Sequence, residues 1–146
     1  MSVHAGAYVI SDDPARLDLE VLHAYLRRAY WSEGIPFEVL ERAVRGSLCI
    51  GAYEQAGGQV GLVRLVSDYA TFCYVCDVFV LEAHRGRGIS QGMVKMAIEH
   101  PRLQGLRRWF LVTRDAHGLY AQFGFVSPTH PQRYMERTNP FAYGRR

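Results

Sequence analysis

Asp77-Val-Phe-Val-Leu-Glu-Ala-His-Arg-Gly-Arg-Gly-Ile-Ser-Gln-Gly-Met-Val-Lys-Met-Ala-Ile98 is the stretch on which the reading of this chain turns. It reads as the end of a β-strand, a tight loop rich in arginine and glycine, and an amphipathic helix. Ile89, Met93, Met96 and Ala97 fall at helical spacing. That order builds a site for a phosphate-bearing ligand. The glycines let backbone N–H groups approach an anion, and the helix aims its unpaired N–H groups and positive dipole end at the same point.

Upstream, residues 4–10 read as a first strand. Asp12-Asp13-Pro14 is a helix start, a capping aspartate followed by proline. Leu19, Leu22, Leu26 and Ala29 keep helical spacing toward a stop at Gly34. Pro36 opens a second short helix. Leu48–Tyr53 and Gln59–Val66 are strands around the Gly57-Gly58 turn, and Asp68-Tyr69-Ala70 turns the chain into a long strand at 72–80. Downstream, Pro101 ends the helix, and Arg107–Thr113 is another strand. Ala116–Phe123 is a short helix capped by Gly124. Phe125-Val126 and Tyr134–Arg137 read as final strands. The order β-α-α-β-β-β-α-β-α-β-β predicts one domain over 1–146. Its class is α/β (α+β), a mixed central sheet of about six to seven strands with helices on both faces.

The 146 residues are 49% hydrophobic and 21% charged, with a net charge of +3. That is the balance of an ordinary globular protein, and too mild to argue for nucleic acid. The arginines of the loop, Arg107-Arg108 and Arg145-Arg146 could steer an anionic ligand. No apolar run approaches the ~20 residues that span a bilayer. The beginning of the chain lacks the basic start and apolar stretch of a signal peptide. The three cysteines fit a reducing compartment, so the expected location is cytoplasmic. Cys73 and Cys76 form a CxxC, but inside a predicted strand, where residues three apart point to opposite faces. No second ligand pair completes a zinc site, and no metal is expected.

Three loop chemistries compete for residues 84–92. A phosphate-binding loop of the GxxxxGK type needs a lysine after its second glycine; Ile89 follows Gly88. A dinucleotide fingerprint needs GxGxxG; after Gly86 and Gly88, position 91 is glutamine and the next glycine is Gly92. The remaining pattern is Q/R-x-x-G-x-G/A, read at Arg85-Gly86-Arg87-Gly88-Ile89-Ser90. Together with Tyr120-Ala-Gln-Phe-Gly-Phe125, some thirty residues on, it makes the chain resemble the GNAT family of N-acetyltransferases, whose element order it follows over nearly its whole length. Ser90 departs from the family's usual Gly or Ala. Asp115 stands where many relatives carry an asparagine near the coenzyme.

The resemblance implies acetyl-CoA as cosubstrate and acetyl transfer to an amine. The backbone N–H groups of Gly86, Arg87, Gly88, Ile89 and Ser90 would hold the pyrophosphate, helped by Arg85 and Arg87. Phe79 and Val80 would offer backbone groups to the pantetheine arm and the acetyl carbonyl, where a donor also stabilises the oxyanion. Tyr120 is the expected general acid, with Leu119 and Phe123 forming the buried stripe of its helix without it. Asp77 and Asp68 are candidate bases; the alternative for Asp77 is pairing with a neighbouring arginine. His84 and His117 flank the two motifs. Tyr30, Trp31 and Tyr74, with Asp68, could shape the acceptor pocket. The expected acceptor is a small amine or amino acid derivative, with a protein lysine or N-terminus and a non-catalytic acyl-CoA-binding module as alternatives. A homodimer is an open expectation; nucleic acid and membrane partners are not expected.

Overall fold

A computed structural model describes residues 1–144; Arg145 and Arg146 lie outside the described residues. Six strands form one sheet in sequence order: β1 (Ser2–Ala5), β2 (Tyr8–Ser11), β3 (Leu48–Glu54), β4 (Gln59–Ser67), β5 (Phe72–Val80) and β6 (Arg108–Leu111). Neighbours are antiparallel except β5 and β6, which run parallel. The crossover between them is α3 (Ile89–Glu99). The mixed α/β sheet with helices on both faces is therefore as the sequence predicts.

The ends of the sheet differ from expectation. The single strand predicted at 4–10 is a hairpin, turned at Gly6 with φ +63°. The strands predicted at 125–126 and 134–137 do not form. Pro128 and Pro131 interrupt that stretch, and proline cannot donate to a ladder.

Asp13 caps only a short 3-10 turn, Pro14–Arg16, by accepting from Ala15 N–H at 2.9 Å. The first α-helix, α1 (Leu19–Leu26), has its own cap: Asp18 accepts from Glu20 N–H at 3.1 Å and Val21 N–H at 3.2 Å. The helix stops at Leu26, well before Gly34, and turns fill the interval. The second helix, α2 (Phe37–Arg45), follows Pro36 as expected.

Two cores lie on opposite faces of the sheet. Ile89, Met93, Val94, Met96 and Ala97 of α3 pack with Ile10, Ile50, Val63, Cys73, Val75 and Val80. Gly92 lets α3 press onto β2: a Cβ there would sit 2.5 Å from Ile10 Cδ1. On the other face, Leu22 and Leu26 of α1 and Leu40 and Val44 of α2 pack with Leu62 and Phe79.

A bulge in β5 allots its side chains to these cores. Val63 pairs with Val78 and Leu65 with Val75, so Cys76 and Asp77 together oppose Arg64. Before the bulge the odd-numbered Cys73 and Val75 face α3; after it the even-numbered Val78 and Val80 do. Phe79 is thereby turned to the α1 side.

Candidate active site

The parallel pairing of β5 with β6 puts their carboxyl ends at the same end of the sheet. Here β5 leads into the arginine–glycine loop, and β6 leads to α4 (His117–Ala121). Crevices at such ends are where open α/β sheets hold ligands. The pairing runs only from Phe72↔Arg108 to Val75↔Leu111. Beyond Val75 no strand among the described residues lies beside the β6-side edge of β5.

The ladder sets which backbone groups face that opening. Leu81 N–H donates to Val60 C=O at 2.8 Å, so 60 and 81 are a hydrogen-bonded pair. By alternation Phe79 turns its backbone groups to Leu62 of β4, and Val78 and Val80 turn theirs to the open edge. The expectation that joined Phe79 to Val80 thus divides. Val80 keeps the edge, and Phe79 contributes a ring, stacked on Tyr25 at 4.0 Å and 8°.

The loop has the shape an anion requires. Gly86 and Gly88 sit at φ +77° and +76°, and a Cβ on either would meet nothing within 4 Å. Gly88 precedes the first turn of α3 with no side-chain cap. Among the described residues no acceptor takes the N–H groups of residues 86 to 91. Ile89 is buried and anchors the helix start, and Ser90 is half-buried. The two arginines are braced. Arg85 donates from Nε to Val80 C=O at 2.9 Å and from Nη2 to Tyr25 Oη at 3.1 Å. Arg87 donates from Nη1 to Tyr8 Oη at 2.9 Å, and the same oxygen meets His84 Nδ1 at 2.8 Å. Unpaired N–H groups, open glycine positions and fixed guanidiniums fit a phosphate-bearing coenzyme.

Tyr120 is the one buried residue of α4, while Leu119 and Phe123 are half-buried. The division expected within this helix is therefore reversed. Burial pushes the Tyr120 phenol up to about 12, with a smaller push from the nearby Tyr30. Gly124, at φ +88°, ends the turn, and Phe125 N–H donates to Tyr120 C=O at 3.2 Å. Asp115 stands exposed before α4, 3.7 Å from Arg114.

The candidate acceptor residues separate into those at the opening and those away from it. Trp31 donates from Nε1 to Asp77 Oδ1 at 2.7 Å. Tyr30 meets the Trp31 ring edge-on at 5.1 Å and takes a bond from Arg114 N–H at 3.3 Å. The Arg114 guanidinium lies 3.9 Å above the Tyr30 ring. These two aromatics therefore bridge from β5 to the segment before α4. Tyr74 lies lower on β5, against Phe110 at 5.4 Å. Asp68 closes a turn, accepting from the N–H groups of Ala70, Thr71 and Phe72 and from the Thr71 hydroxyl. The Thr71 hydroxyl first, and those N–H groups with it, hold the Asp68 carboxyl well below the usual carboxylate range.

Asp77 is buried and paired: Arg64 Nε donates to its Oδ2 at 2.6 Å, and Arg64 Nη1 reaches Ser47 Oγ at 3.0 Å. Arg64, Tyr25 and Tyr8 are site residues that the sequence reading missed. Arg64 had a signal, a lone charge within the apolar run Val60–Val66; the two tyrosines had none. The CxxC is split as expected. Cys73 is buried toward α3 and Cys76 is half-buried, and both are free thiols. No helix among the described residues is long and apolar enough to cross a membrane.

A coenzyme-shaped loop, a half-open parallel strand pair and a buried tyrosine past the second strand define an acetyltransferase class. The profile of the "Acetyltransferase (GNAT) domain" matches residues 45–127, more than half of the chain, and the protein belongs to the GNAT family. A GNAT-family crystal structure from Xanthomonas campestris pv. campestris is 45% identical, covers 96% of this chain and 99% of its own, and superposes with a TM-score of 0.90. A GNAT-family acetyltransferase of Streptococcus pneumoniae is 26% identical with a TM-score of 0.67, over 91% of this chain and 97% of its own. The Gibberella zeae protein named "Putative acetyltransferase FG08082" is 33% identical, over 80% of this chain and 77% of its own.

Proposed function

We propose that this protein is an acetyl-CoA-dependent N-acetyltransferase that moves an acetyl group to the primary amine of a small molecule or amino acid derivative, by direct attack in a ternary complex. The observation that carries the reading is the strand-free edge of β5 at Val78 and the Val80 N–H, flanked by the unpaired N–H groups of residues 86–91. The loop N–H groups and the helix start bind the pyrophosphate, with Arg85 and Arg87 adding charge beside it. The open strand edge pairs with the amide-bearing arm of the coenzyme, as an added strand would. The coenzyme supplies the thioester.

Tyr120 keeps its proton across the neutral range. With the phenol at about 12 and a free thiol near 8.5, complete transfer to the departing sulfur is uphill by about 5 kcal/mol. The phenol therefore works as a hydrogen-bond donor to the developing thiolate, and transfer finishes late. The amine gives up its proton to water. In this reading Asp77, satisfied by Arg64 and Trp31, positions the Trp31 ring at the acceptor side, and Asp68 stays a turn residue.

The test has two stages. Saturation with acetyl-CoA at 100 times Kd stabilises the fold by about 2.7 kcal/mol, a melting shift of several degrees for this size. Thiol release is then followed with a panel of amines. Absence of a shift with both acetyl-CoA and CoA would refute the coenzyme site. A shift without thiol release from any amine, peptide amines included, would leave a binding module in place of an enzyme.

A further inference from the structure

The two loop arginines are braced in different ways. Arg85 is held by the Val80 carbonyl, a group that does not titrate. Arg87 is held by Tyr8, and behind Tyr8 stands a group that does. Arg87 Nη1 lies 2.9 Å from Tyr8 Oη, and His84 Nδ1 lies 2.8 Å from the same oxygen. A guanidinium only donates, so the phenol oxygen accepts from Arg87. The phenol proton is then left for His84, and Nδ1 must be the bare nitrogen of a neutral ring. The ring proton sits on Nε2, facing Glu54 Oε1 at 3.7 Å. Strand register assembles the group. Tyr8 of β2 stands opposite Glu54 of β3, so both side chains lie on the α3 face of the sheet. Tyr8 is buried, and its ring meets that of His84 edge-on at 5.7 Å, which fixes the oxygen in place.

We propose that Tyr8 positions Arg87 for the coenzyme pyrophosphate, and that the charge on His84 decides whether it can. The inference rests on the reading of the loop as the coenzyme site. A phenol proton lies in the plane of its ring, which leaves one in-plane lone pair on the other side of the oxygen. While His84 is neutral, the proton points at Nδ1 and the lone pair at Arg87. When Nδ1 gains a proton it becomes a donor, and the two directions exchange. The lone pair turns to His84, and the O–H turns to Arg87 Nη1. Donor then faces donor, and the brace is lost. Arg87 is exposed, and among the described residues no other hydrogen bond holds its guanidinium. Once released, the side chain must be ordered again whenever coenzyme binds, which weakens binding. The titratable and charged groups around the His84 ring are Tyr8 from β2, Glu54 from β3 and Arg87 from the loop. Glu54 faces a proton on Nε2 in either state, so it does not compete for the phenol. Histidine changes charge within the range of pH 5 to 8. Acidification through that range therefore loosens the hold on the coenzyme.

Calorimetric titration with dephospho-CoA, from about pH 5.5 to about pH 8.5, tests this. That probe keeps the pyrophosphate and lacks the terminal phosphate monoester, whose own charge changes near pH 6. The wild type should bind about fivefold more weakly at the acid end. Tyr8→Phe, which removes the oxygen, should bind about fivefold more weakly at the alkaline end and show no dependence on pH. Arg87→Ala should bind about tenfold more weakly throughout, and adding Tyr8→Phe to it should cost nothing more. His84→Asn sets an amide oxygen where Nδ1 accepts, and that oxygen takes no proton. It should hold the alkaline affinity down to the acid end; His84 is half-buried, so this arm leaves the core untouched. Affinity that rises on acidification overturns the proposal, since His84 would then act on the anion through its charge alone. So does a pH dependence that survives in His84→Asn, or wild-type affinity in Tyr8→Phe. Those results leave the coenzyme reading standing. A wild type that binds neither dephospho-CoA nor CoA at any pH removes both.

Discussion

Arg64 Nε donates to Asp77 Oδ2 at 2.6 Å, and Asp77 is one of the two β5 residues that stand opposite Arg64 at the bulge. Both side chains are largely withdrawn from water, so each charge is compensated chiefly by the other. Removing one member of such a pair leaves an uncompensated ion, which costs about 3–5 kcal/mol when fully buried. Arg64 keeps a little exposure, so Asp77→Asn should cost about 2–3 kcal/mol in urea unfolding. If Asp77 only positions Trp31, the pH profile of kcat/KM keeps its shape while KM for the amine rises. Loss of the acid-side limb of the profile would instead restore Asp77 as the base.

For Tyr120, the phenol is the group at issue and the ring is structural. Tyr120→Phe should lower kcat about 100-fold, at the low end of what a single proton-transfer group contributes, and leave acetyl-CoA affinity within twofold. Steady-state rates and a binding titration on the same sample check both halves. With its proton held to about pH 12, Tyr120 should impose no fall in kcat below about pH 10. An alkaline limb near neutrality that vanishes in the phenylalanine variant would contradict this role.

Gly88 allows a direct probe of the loop. Its φ of +76° lies where side chains are strained, although a Cβ would strike nothing in the protein. Gly88→Ala should cost about 1 kcal/mol of stability and, by crowding the anion position, weaken acetyl-CoA binding at least tenfold. Calorimetric titration reads the affinity, and equal affinity in the variant would place the phosphate elsewhere.

Alkaline pH should loosen the fold for an identifiable reason. Burial lifts Cys49 and Cys73 to about 12, and Tyr53 likewise to about 12. In each case the folded state holds its proton more tightly than the unfolded chain. The associated stability is complete below the unfolded values, about 8.5 for cysteine and about 10 for tyrosine, and declines as pH climbs toward 12. Melting temperature should therefore start falling near pH 9 and fall faster past pH 10. In Cys73→Ala the first part of that decline should be shallower; an unchanged melting temperature up to pH 10.5 would refute the account.

How far the sequence spoke depends on where the deciding interaction was made. The segment from β5 through α3 was legible because strand, loop and helix each carry a local signature, and Gly86 and Gly88 have φ values that glycine alone takes freely. The short helix ending at Gly124 was legible for the same reason. Asp18 was overlooked as a cap because Asp13-Pro14 offers a stronger local start, and what favours Asp18 includes the distant Gln59 side chain, which accepts its N–H at 2.8 Å. The end of the sheet was misjudged because Tyr134–Arg137 has strand composition, whereas strand formation needs a neighbour that the prolines at 128 and 131 keep away. Contacts such as Tyr25 on Phe79 or Arg87 on Tyr8 join residues far apart in sequence and left no trace in spacing.

The bulge in β5 bears on how such an edge comes to exist. Delete Cys76 in thought, and Val75, Asp77, Val78, Phe79 and Val80 would alternate as an ordinary strand with every side chain on the face it now occupies. Packing therefore has no use for the surplus residue. What it supplies is shape, because an interrupted ladder bends and twists the strand away from its line. A regular β5 would be free to continue straight alongside β6, closing the gap with its own hydrogen bonds. In this sheet a single unpaired residue marks the boundary between backbone that serves the fold and backbone left available to a ligand.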